Sequence, residues 1–117
     1  MKKIYHLSTC NTCQKIIKDL APTKNVQLQD IKSEKITSDQ LDEMAGLAGS
    51  YEGLFSRKAI KYRTLGLSEK KLTEKDYRKY ILEEYTFLKR PVIISGKSIF
   101  IGNAAKTVAA AKAALAE

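Results

Sequence analysis

The sequence predicts an α/β domain with a four-stranded mixed sheet. Two short segments of strand-forming residues flank an amphipathic helix near the start, two more form a hairpin near the end, and an alanine-rich helix follows. The length of 117 residues suits one domain with its own core, and an apolar share of 44% is too high for a disordered chain. We therefore expect a single domain over residues 1–117.

The first three elements predict a βαβ unit. Residues 3–7 are rich in strand formers, and the next helix should end near Pro22, because the residue before a proline is disfavoured in helices. Residues 26–31 alternate as a second strand, which should run parallel to the first. The helix has apolar residues at helical spacing: Cys13, Ile16, Ile17 and Leu20.

The middle of the chain predicts an insertion of helices over about residues 37–86. Thr37 and Thr73 each begin a sequence typical of a capping box, so a helix should follow each of them. Residues 49–66 have no strong period but carry too many apolar side chains for a solvated linker. We expect short helical turns there, packed on the domain.

The end of the chain predicts a β-hairpin and a last helix. Residues 92–95 and 98–101 are strand-forming runs joined by Gly96-Lys97, and Asn103 is a candidate N-cap for the helix that follows. The order βαβ, helices, ββα is that of a thioredoxin-like fold with helices inserted in the middle. The two end units should therefore share one four-stranded mixed sheet.

The Cys10 and Cys13 pair is the strongest chemical signal in the sequence. Cys10 lies at the junction of strand and helix, and Cys13 lies one turn further along, which favours redox or nucleophilic chemistry over inert thiols. Free amides at a helix start should lower the pKa of Cys10 by on the order of one unit. Nearby cations would add to this effect, and the candidates are Lys15, Arg90 and His6.

The remaining composition excludes several classes of function. A structural zinc site needs four ligands, whereas the chain holds two cysteines and one histidine, so no metal is expected. The net charge of +8 comes from lysines spread along the chain with no nucleic-acid motif, which favours a solvated surface over nucleic-acid binding. Without an apolar leader or an apolar run of membrane-spanning length, we expect a cytoplasmic protein with no membrane partner.

Two motifs carry a resemblance over nearly the whole chain. Cys-Asn-Thr-Cys at residues 10–13 follows a short strand, and Leu-Lys-Arg-Pro at residues 88–91 opens the hairpin. Leu-Gly-Leu at residues 65–67 lies between them, and Gly102 follows the hairpin. With this set of motifs the sequence resembles the arsenate reductase family of thioredoxin-fold proteins, which also contains the Spx transcriptional regulators.

The resemblance implies roles at matching positions. Cys10 matches the nucleophile and Arg90 an oxyanion-binding arginine, with Pro91 as the family's cis proline facing the cysteine. Arg57 matches a second oxyanion-binding arginine, in a register one residue uncertain against Lys58.

Supporting roles fall to His6, Lys15 and Pro91. Cys13 would be the resolving thiol, whereas glutaredoxin-linked arsenate reductases tend to have serine there. Gly102 stands where those enzymes have a third arginine.

The function implied is that of a thiol-dependent oxidoreductase of the arsenate reductase family, with an oxyanion such as arsenate as a candidate substrate and a redox-active Cys-x-x-Cys disulfide. No tightly bound cofactor is expected, and glutathione, glutaredoxin or thioredoxin would supply electrons. The alternative is an Spx-like redox-switched transcriptional regulator that binds RNA polymerase.

Overall fold

The computed structural model describes residues 2–22 and 24–116. The chain divides into two compact units. The boundaries between them lie close to the predicted ends of the helical insertion, residues 37 and 86. The sheet unit comprises the described residues of 1–35 and 90–117, and the helical unit comprises residues 36–89. The prediction of a single domain over 1–117 stays a prediction.

The sheet unit contains four strands and two helices. They are β1 (Lys2–His6), α1 (Asn11–Leu20), β2 (Val26–Asp30), β3 (Val92–Ser95), β4 (Ser98–Ile101) and α5 (Ala105–Leu115). The strand order is β2-β1-β3-β4, with β1 parallel to β2 and antiparallel to β3, and β3 antiparallel to β4. The predicted four-stranded mixed sheet and its terminal hairpin are confirmed.

One apolar core joins the sheet to its two helices. Its buried members come from both helices and three strands: Ile4, Ile16, Leu20, Val26, Ile93, Val108, Ala111 and Leu115. Parallel pairing brings the ends of β1 and β2 to the same edge, with His6 opposite Asp30. The segment between β1 and α1, which contains Cys10, begins at this edge, so residues at the end of β2 can contact it.

The sequence predicted the end of α1 correctly and the start of α5 wrongly. α1 ends before Pro22 as predicted, with Ala21 in the left-handed region at φ 43°. The prediction of Asn103 as the N-cap of α5 is wrong, because Ala104 is the N-cap and its carbonyl accepts the first helical bond from Val108 N. The apolar face of α5 fixes the position of the helix, and an alanine-rich helix forms without a side-chain cap.

The helical unit contains α2 (Ser38–Ala48), α3 (Ile60–Thr64) and α4 (Glu74–Glu83), with 3₁₀ turns at Glu52–Leu54, Leu67–Glu69 and Tyr85–Phe87. Both predicted capping boxes are present, at Thr37 and Thr73. The predicted short helical turns are confirmed by the first 3₁₀ turn and α3.

The aromatic core of the helical unit is centred on the buried ring of Phe55. The centroid of this ring lies 4.9 Å from that of Tyr77 and 5.0 Å from that of Phe87. No helix among the described residues combines the length and apolar character needed to cross a membrane.

Candidate thiol site

Cys10 is the N-cap of α1. Its backbone is extended (φ −96°, ψ 110°), its N–H donates to Leu7 O at 3.0 Å, and its carbonyl accepts from Gln14 N at 3.1 Å. The Cys10 side chain is partly exposed, and within the described part of the chain it makes no capping hydrogen bond. A thiolate at this position faces the free amides with which the helix begins.

Cys13 lies one turn into α1 on its buried face. Only 1% of its surface is exposed, and it shares that face with Ile16 and Leu20. The spacing that predicted an apolar helix face therefore places the two thiols in different environments.

The environment of Cys10 favours the thiolate. Burial raises the pKa of the Cys10 thiol, but the backbone and side chain of Cys13, the positive charge of Arg90 and the backbone of Thr12 lower it, and the net pKa is below its ordinary value. The amides of Thr12 and Cys13 and the Cys13 thiol act as hydrogen-bond donors for the thiolate form, and Arg90 carries the opposite charge.

The environment of Cys13 favours the neutral thiol. Burial is the main cause, and together with the hydrogen bond and the negative charge of Cys10 it raises the pKa of Cys13 to about 11. The backbone of Leu7 and the charge of Arg90 act in the opposite direction. At neutral pH the two thiols should therefore differ in ionisation, with the proton held by Cys13.

Arg90 and Pro91 join the site from the segment that leads into β3. The Arg90–Pro91 peptide bond is cis, and Pro91 is buried with its carbonyl accepting from Gly102 N at 3.0 Å. Through its charge, Arg90 lowers the pKa of both thiols. The structure thus brings Arg90 to the cysteine pair, which lies about 80 residues earlier in the chain.

His6 and Lys15, the two other predicted cations, lie on the elements that flank Cys10 in sequence. His6 ends β1, and its Nδ1 lies 3.5 Å from Gln14 Nε2, while Lys15 is exposed on α1. The largest favourable contributions to the low pKa of Cys10 come from Cys13 and Arg90 rather than from these two. Supporting roles for His6 and Lys15 stay predictions.

Arg57 lies in the helical unit and is engaged there. Its Nη2 donates to Glu52 Oε2 at 2.7 Å and to the Tyr77 hydroxyl at 3.0 Å. The bond to Glu52 is the main cause of a raised Arg57 pKa, so the guanidinium is charged. The neighbouring Lys58 is exposed, and the assignment of either residue to an oxyanion stays a prediction.

Sequence reasoning missed Asp30 and Gln14, which hold the segment between β1 and α1. Asp30 Oδ1 accepts from Ser8 N at 3.1 Å, and Gln14 Nε2 donates to Leu7 O at 3.0 Å. The parallel pairing predicted from the βαβ pattern was the available signal for Asp30, because parallel strands end at the same edge. Gln14 is part of the Cys-Asn-Thr-Cys-Gln sequence, but nothing in that sequence indicates its bond to Leu7.

The expectation that no metal is bound stays a prediction. Among residues 2–22 and 24–116, no group of three histidine, cysteine, aspartate or glutamate side chains could hold a metal ion.

The model of the ArsC family matches residues 5–111, which include both cysteines, Arg90 and Pro91. The chain belongs to the ArsC family. This membership supports a thiol-dependent oxidoreductase-like role and implies external thiol reductants such as glutaredoxin or thioredoxin. No curated protein matches the chain.

Solved structures share the fold of this ArsC-family chain. The YffB protein matches with a TM-score of 0.77 at 22% identity, covering 95% of this chain and 98% of its own. Arsenate reductase from Vibrio cholerae matches with a TM-score of 0.77 at 16% identity, covering 93% and 95%. An arsenate reductase (ArsC) related protein from Brucella melitensis matches with a TM-score of 0.69 at 21% identity, covering 93% and 92%. The thioredoxin-like fold is confirmed.

Proposed function

We propose that the protein is a thiol-dependent oxidoreductase in which Cys10 is the nucleophile and Cys13 the resolving thiol. The division between the two thiols carries this proposal. Cys10 is partly exposed with a lowered pKa, whereas Cys13 is buried with a pKa of about 11. Because the thiolate is the attacking species, only Cys10 is ready to react at neutral pH.

The first step is attack by the Cys10 thiolate on an oxidised centre. With a disulfide substrate, the Cys10 sulfur bonds to one substrate sulfur while the other leaves as a thiolate, giving a mixed disulfide. Arg90 supports this step, because its charge stabilises the Cys10 thiolate before the attack.

The second step is attack by Cys13 on the Cys10 sulfur. This attack releases the second substrate thiolate and leaves a Cys10–Cys13 disulfide, so two electrons have passed to the substrate. Two of the causes that raise the pKa of Cys13 come from Cys10 itself. Both involve the free Cys10 thiol or thiolate, so forming the mixed disulfide should ease the ionisation of Cys13.

The cycle closes when an external dithiol or two thiol molecules reduce the Cys10–Cys13 disulfide. The reductant loses two electrons and becomes a disulfide, and both cysteines regain protons. Glutathione, glutaredoxin and thioredoxin are reductants of this chemical class.

An oxyanion such as arsenate is the candidate substrate beyond disulfides. The Cys10 sulfur would bond to arsenic while an oxygen leaves as water, and attack by a second thiolate on that sulfur would leave the electron pair on arsenic. Arg90 is the cation in this site that would face the oxyanion. Gly102 contributes no charge where a third arginine is implied, so we expect arsenate turnover to be slow or absent.

Alkylation and oxidation of the wild-type protein, and turnover by its two single-cysteine variants, test the proposal. Iodoacetamide at pH 7 should label Cys10 before Cys13, and diamide should convert the monomer to a form lighter by two hydrogens. Turnover of a disulfide or of arsenate, with glutaredoxin and glutathione or with thioredoxin as reductant, should be abolished in Cys10→Ser. Cys13→Ser should instead accumulate the mixed disulfide.

Cys13→Ser also serves as the matched control, because it removes one thiol from the same helix while leaving Cys10 in place. Faster labelling of Cys13 in the wild-type protein, or full turnover by Cys10→Ser, would contradict the assignment.

A further inference from the structure

The segment that leads into the thiol is held from one side by the end of β2. Asp30 Oδ1 accepts from Ser8 N at 3.1 Å, across the sheet edge where His6 pairs with Asp30. Cys10 follows Ser8 by two residues, so the position of this N–H limits where the N-cap of α1 can lie.

The Asp30 carboxylate is itself fixed by its own turn. Oδ1 accepts from Lys32 N at 3.2 Å, and Oδ2 accepts from the Ser33 hydroxyl at 3.1 Å. These bonds and those from Ser8, led by the Ser8 hydroxyl, lower the pKa of Asp30 to about 2. The carboxylate is therefore charged at neutral pH and held in one orientation as an acceptor.

A second contact holds the same segment from the helix side. Leu7 O accepts from both Cys10 N and Gln14 Nε2, each at 3.0 Å. Asp30 at Ser8 and Gln14 at Leu7 together fix the residues before Cys10. Cys10 is the N-cap of α1, and the backbone groups of Thr12 and Cys13 lower the pKa of its thiol, so the sulfur lies near the start of the helix.

We propose that Asp30 is a positioning residue for the thiol site: its carboxylate holds the segment from Ser8 to Cys10 so that the Cys10 sulfur lies at the start of α1. This role rests on the proposed function of Cys10 as the nucleophile. Asp30 acts through the backbone and does not touch the substrate.

The direction in which the pKa of Cys10 changes when Asp30 is removed distinguishes a positioning role from the effect of the Asp30 charge alone. Removal of a nearby negative charge by itself lowers the pKa of a thiol, because it favours the thiolate. Loss of the Ser8 anchor has the opposite effect, because the sulfur no longer stays against the amides of α1. A rise in the pKa of Cys10 after removal of Asp30 therefore reports lost positioning.

Three substitutions at Asp30 form the test. Asp30→Asn keeps an acceptor oxygen for Ser8 N and loses the charge, Asp30→Ala loses both, and Asp30→Glu keeps the charge but moves the carboxylate by one methylene. We expect Asp30→Asn to be alkylated at Cys10 at least as fast as the wild type, because it keeps the anchor and loses only the negative charge. Asp30→Ala and Asp30→Glu should be alkylated at Cys10 about threefold more slowly at pH 7, the result of a pKa about half a unit higher.

Glu34→Ala is the matched control. It removes a carboxylate of the same unit that, among the described residues, has no hydrogen-bond or ion-pair partner, and it should leave the pKa of Cys10 unchanged. If Asp30→Ala fails to fold, the comparison between Asp30→Glu and Asp30→Asn decides the same point.

The readout is the pKa of Cys10 from pH-dependent alkylation, with the labelled site assigned by mass spectrometry and the melting temperature measured in parallel. A lower melting temperature with an unchanged pKa in Asp30→Ala and Asp30→Glu would overturn the positioning role. An ordinary thiol pKa for wild-type Cys10 would instead overturn the proposed function. The comparison among the Asp30 variants needs no turnover, so these two failures are distinguishable.

Discussion

Cys10 and Cys13 are identical residues three positions apart, yet their thiols have opposite tendencies. Cys10 caps the helix and is partly exposed, whereas Cys13 belongs to the buried face of α1. The pKa is lowered in the first and raised to about 11 in the second. One helical turn therefore separates a thiol whose environment favours the thiolate from one whose environment favours the neutral form.

The charge of Arg90 should be measurable in the pKa of Cys10. Arg90→Ala removes a cation that lowers this pKa, so alkylation of Cys10 at pH 7 should slow by about threefold, whereas Arg90→Lys should stay close to the wild type. The difference should vanish at a pH where Cys10 is fully ionised in every variant. Equal rates for Arg90→Ala and wild type at pH 7 would show that the charge does not reach the thiol.

Asp30 should make the stability of the fold depend on acid. Its pKa is about 2 in the folded chain against 3.8 as an ordinary value, so the unfolded chain binds the proton more readily. The stability contributed by Asp30 is present above about pH 4 and is lost as the pH falls towards about 2. Urea unfolding should show the wild type losing its advantage over Asp30→Asn across this window. A constant difference between the two would contradict the pKa shift.

The sequence predicted where the two cysteines lie in the fold better than it predicted the residues that hold them there. The Cys10 and Cys13 spacing indicates a helix start, because the cysteine pair and the apolar period that follows it can both be read from residues 10–20. The bond from Ser8 to Asp30 joins residues 22 positions apart and depends on strand register. A single sequence does not contain that register, so Asp30 emerged only from the folded sheet.

At the scale of elements, the two ways of starting a helix should differ in their sensitivity to substitution. Thr37 caps α2 through a reciprocal pair of bonds with Gln40, each 3.0 Å long. Thr37→Ala should therefore lower the free energy of unfolding by about 1 kcal/mol.

Asn103→Ala is the contrasting variant for Thr37→Ala. Because Asn103 lies outside α5 and is exposed, this variant should change the free energy of unfolding by less than about 0.5 kcal/mol in the same urea titration. A larger loss from Asn103→Ala than from Thr37→Ala would reverse the assignment of the two caps.

Two glycines should respond to alanine in opposite directions. Gly46 lies inside α2 with open space around its Cα, so Gly46→Ala should stabilise the fold by about 0.5–1 kcal/mol. Gly102 has φ +94°, so Gly102→Ala should destabilise it by about 1–2 kcal/mol despite similar space. Thermal melts of the two variants compare them directly, and a stabilised Gly102→Ala would contradict the left-handed backbone.

The positive φ of Gly102 also affects the substitution of arginine at this position. The sequence alone leaves Gly102→Arg as a reasonable way to add an oxyanion contact. The positive φ means that arginine at this position is strained whatever space its side chain finds. Gly102→Ala is therefore the control needed beside Gly102→Arg in any arsenate assay.

Element boundaries were predicted well where local chemistry decides them. The hairpin strands lie at the predicted residues 92–95 and 98–101, and both capping boxes form as their sequences indicate. The start of α5 was predicted wrongly: Asn103 is a residue type that favours the N-cap, but it lies one position before the actual N-cap, Ala104. Packing of Val108, Ala111 and Leu115 sets where that helix begins, and packing is a property of the whole unit.

At the scale of the whole molecule, the positive charge is concentrated on one unit. Residues 1–35 and 90–117 hold eleven lysines and arginines against four acidic residues, a net charge of +7. Residues 36–89 hold ten against nine, a net charge of +1. Nearly all of the +8 therefore belongs to the unit that carries the thiols, although the lysines are spread evenly along the sequence.

This charge should make the reaction of Cys10 selective for anions. The doubly anionic disulfide dithiobis(nitrobenzoate) should react faster at low ionic strength than at high, whereas the neutral dithiodipyridine should react at nearly constant rate. The change should fall between ~0.01 M and ~1 M salt, where the Debye length shrinks from ~30 Å to ~3 Å. Equal salt dependence for the two reagents would rule out steering by the sheet unit.

The strand order also determines what can form while the chain is being synthesised. β1 lies between β2 and β3 in the sheet, although β3 is synthesised more than 80 residues after β1. Until the ribosome has delivered residues 92–95, one edge of β1 has no partner and remains open to other strands. Arg90 arrives with that same segment, so the nascent thiol gains its full electrostatic support only as the sheet closes. Pairing of β1 with β3 and the approach of the Arg90 charge to Cys10 therefore both wait for the same segment to be synthesised.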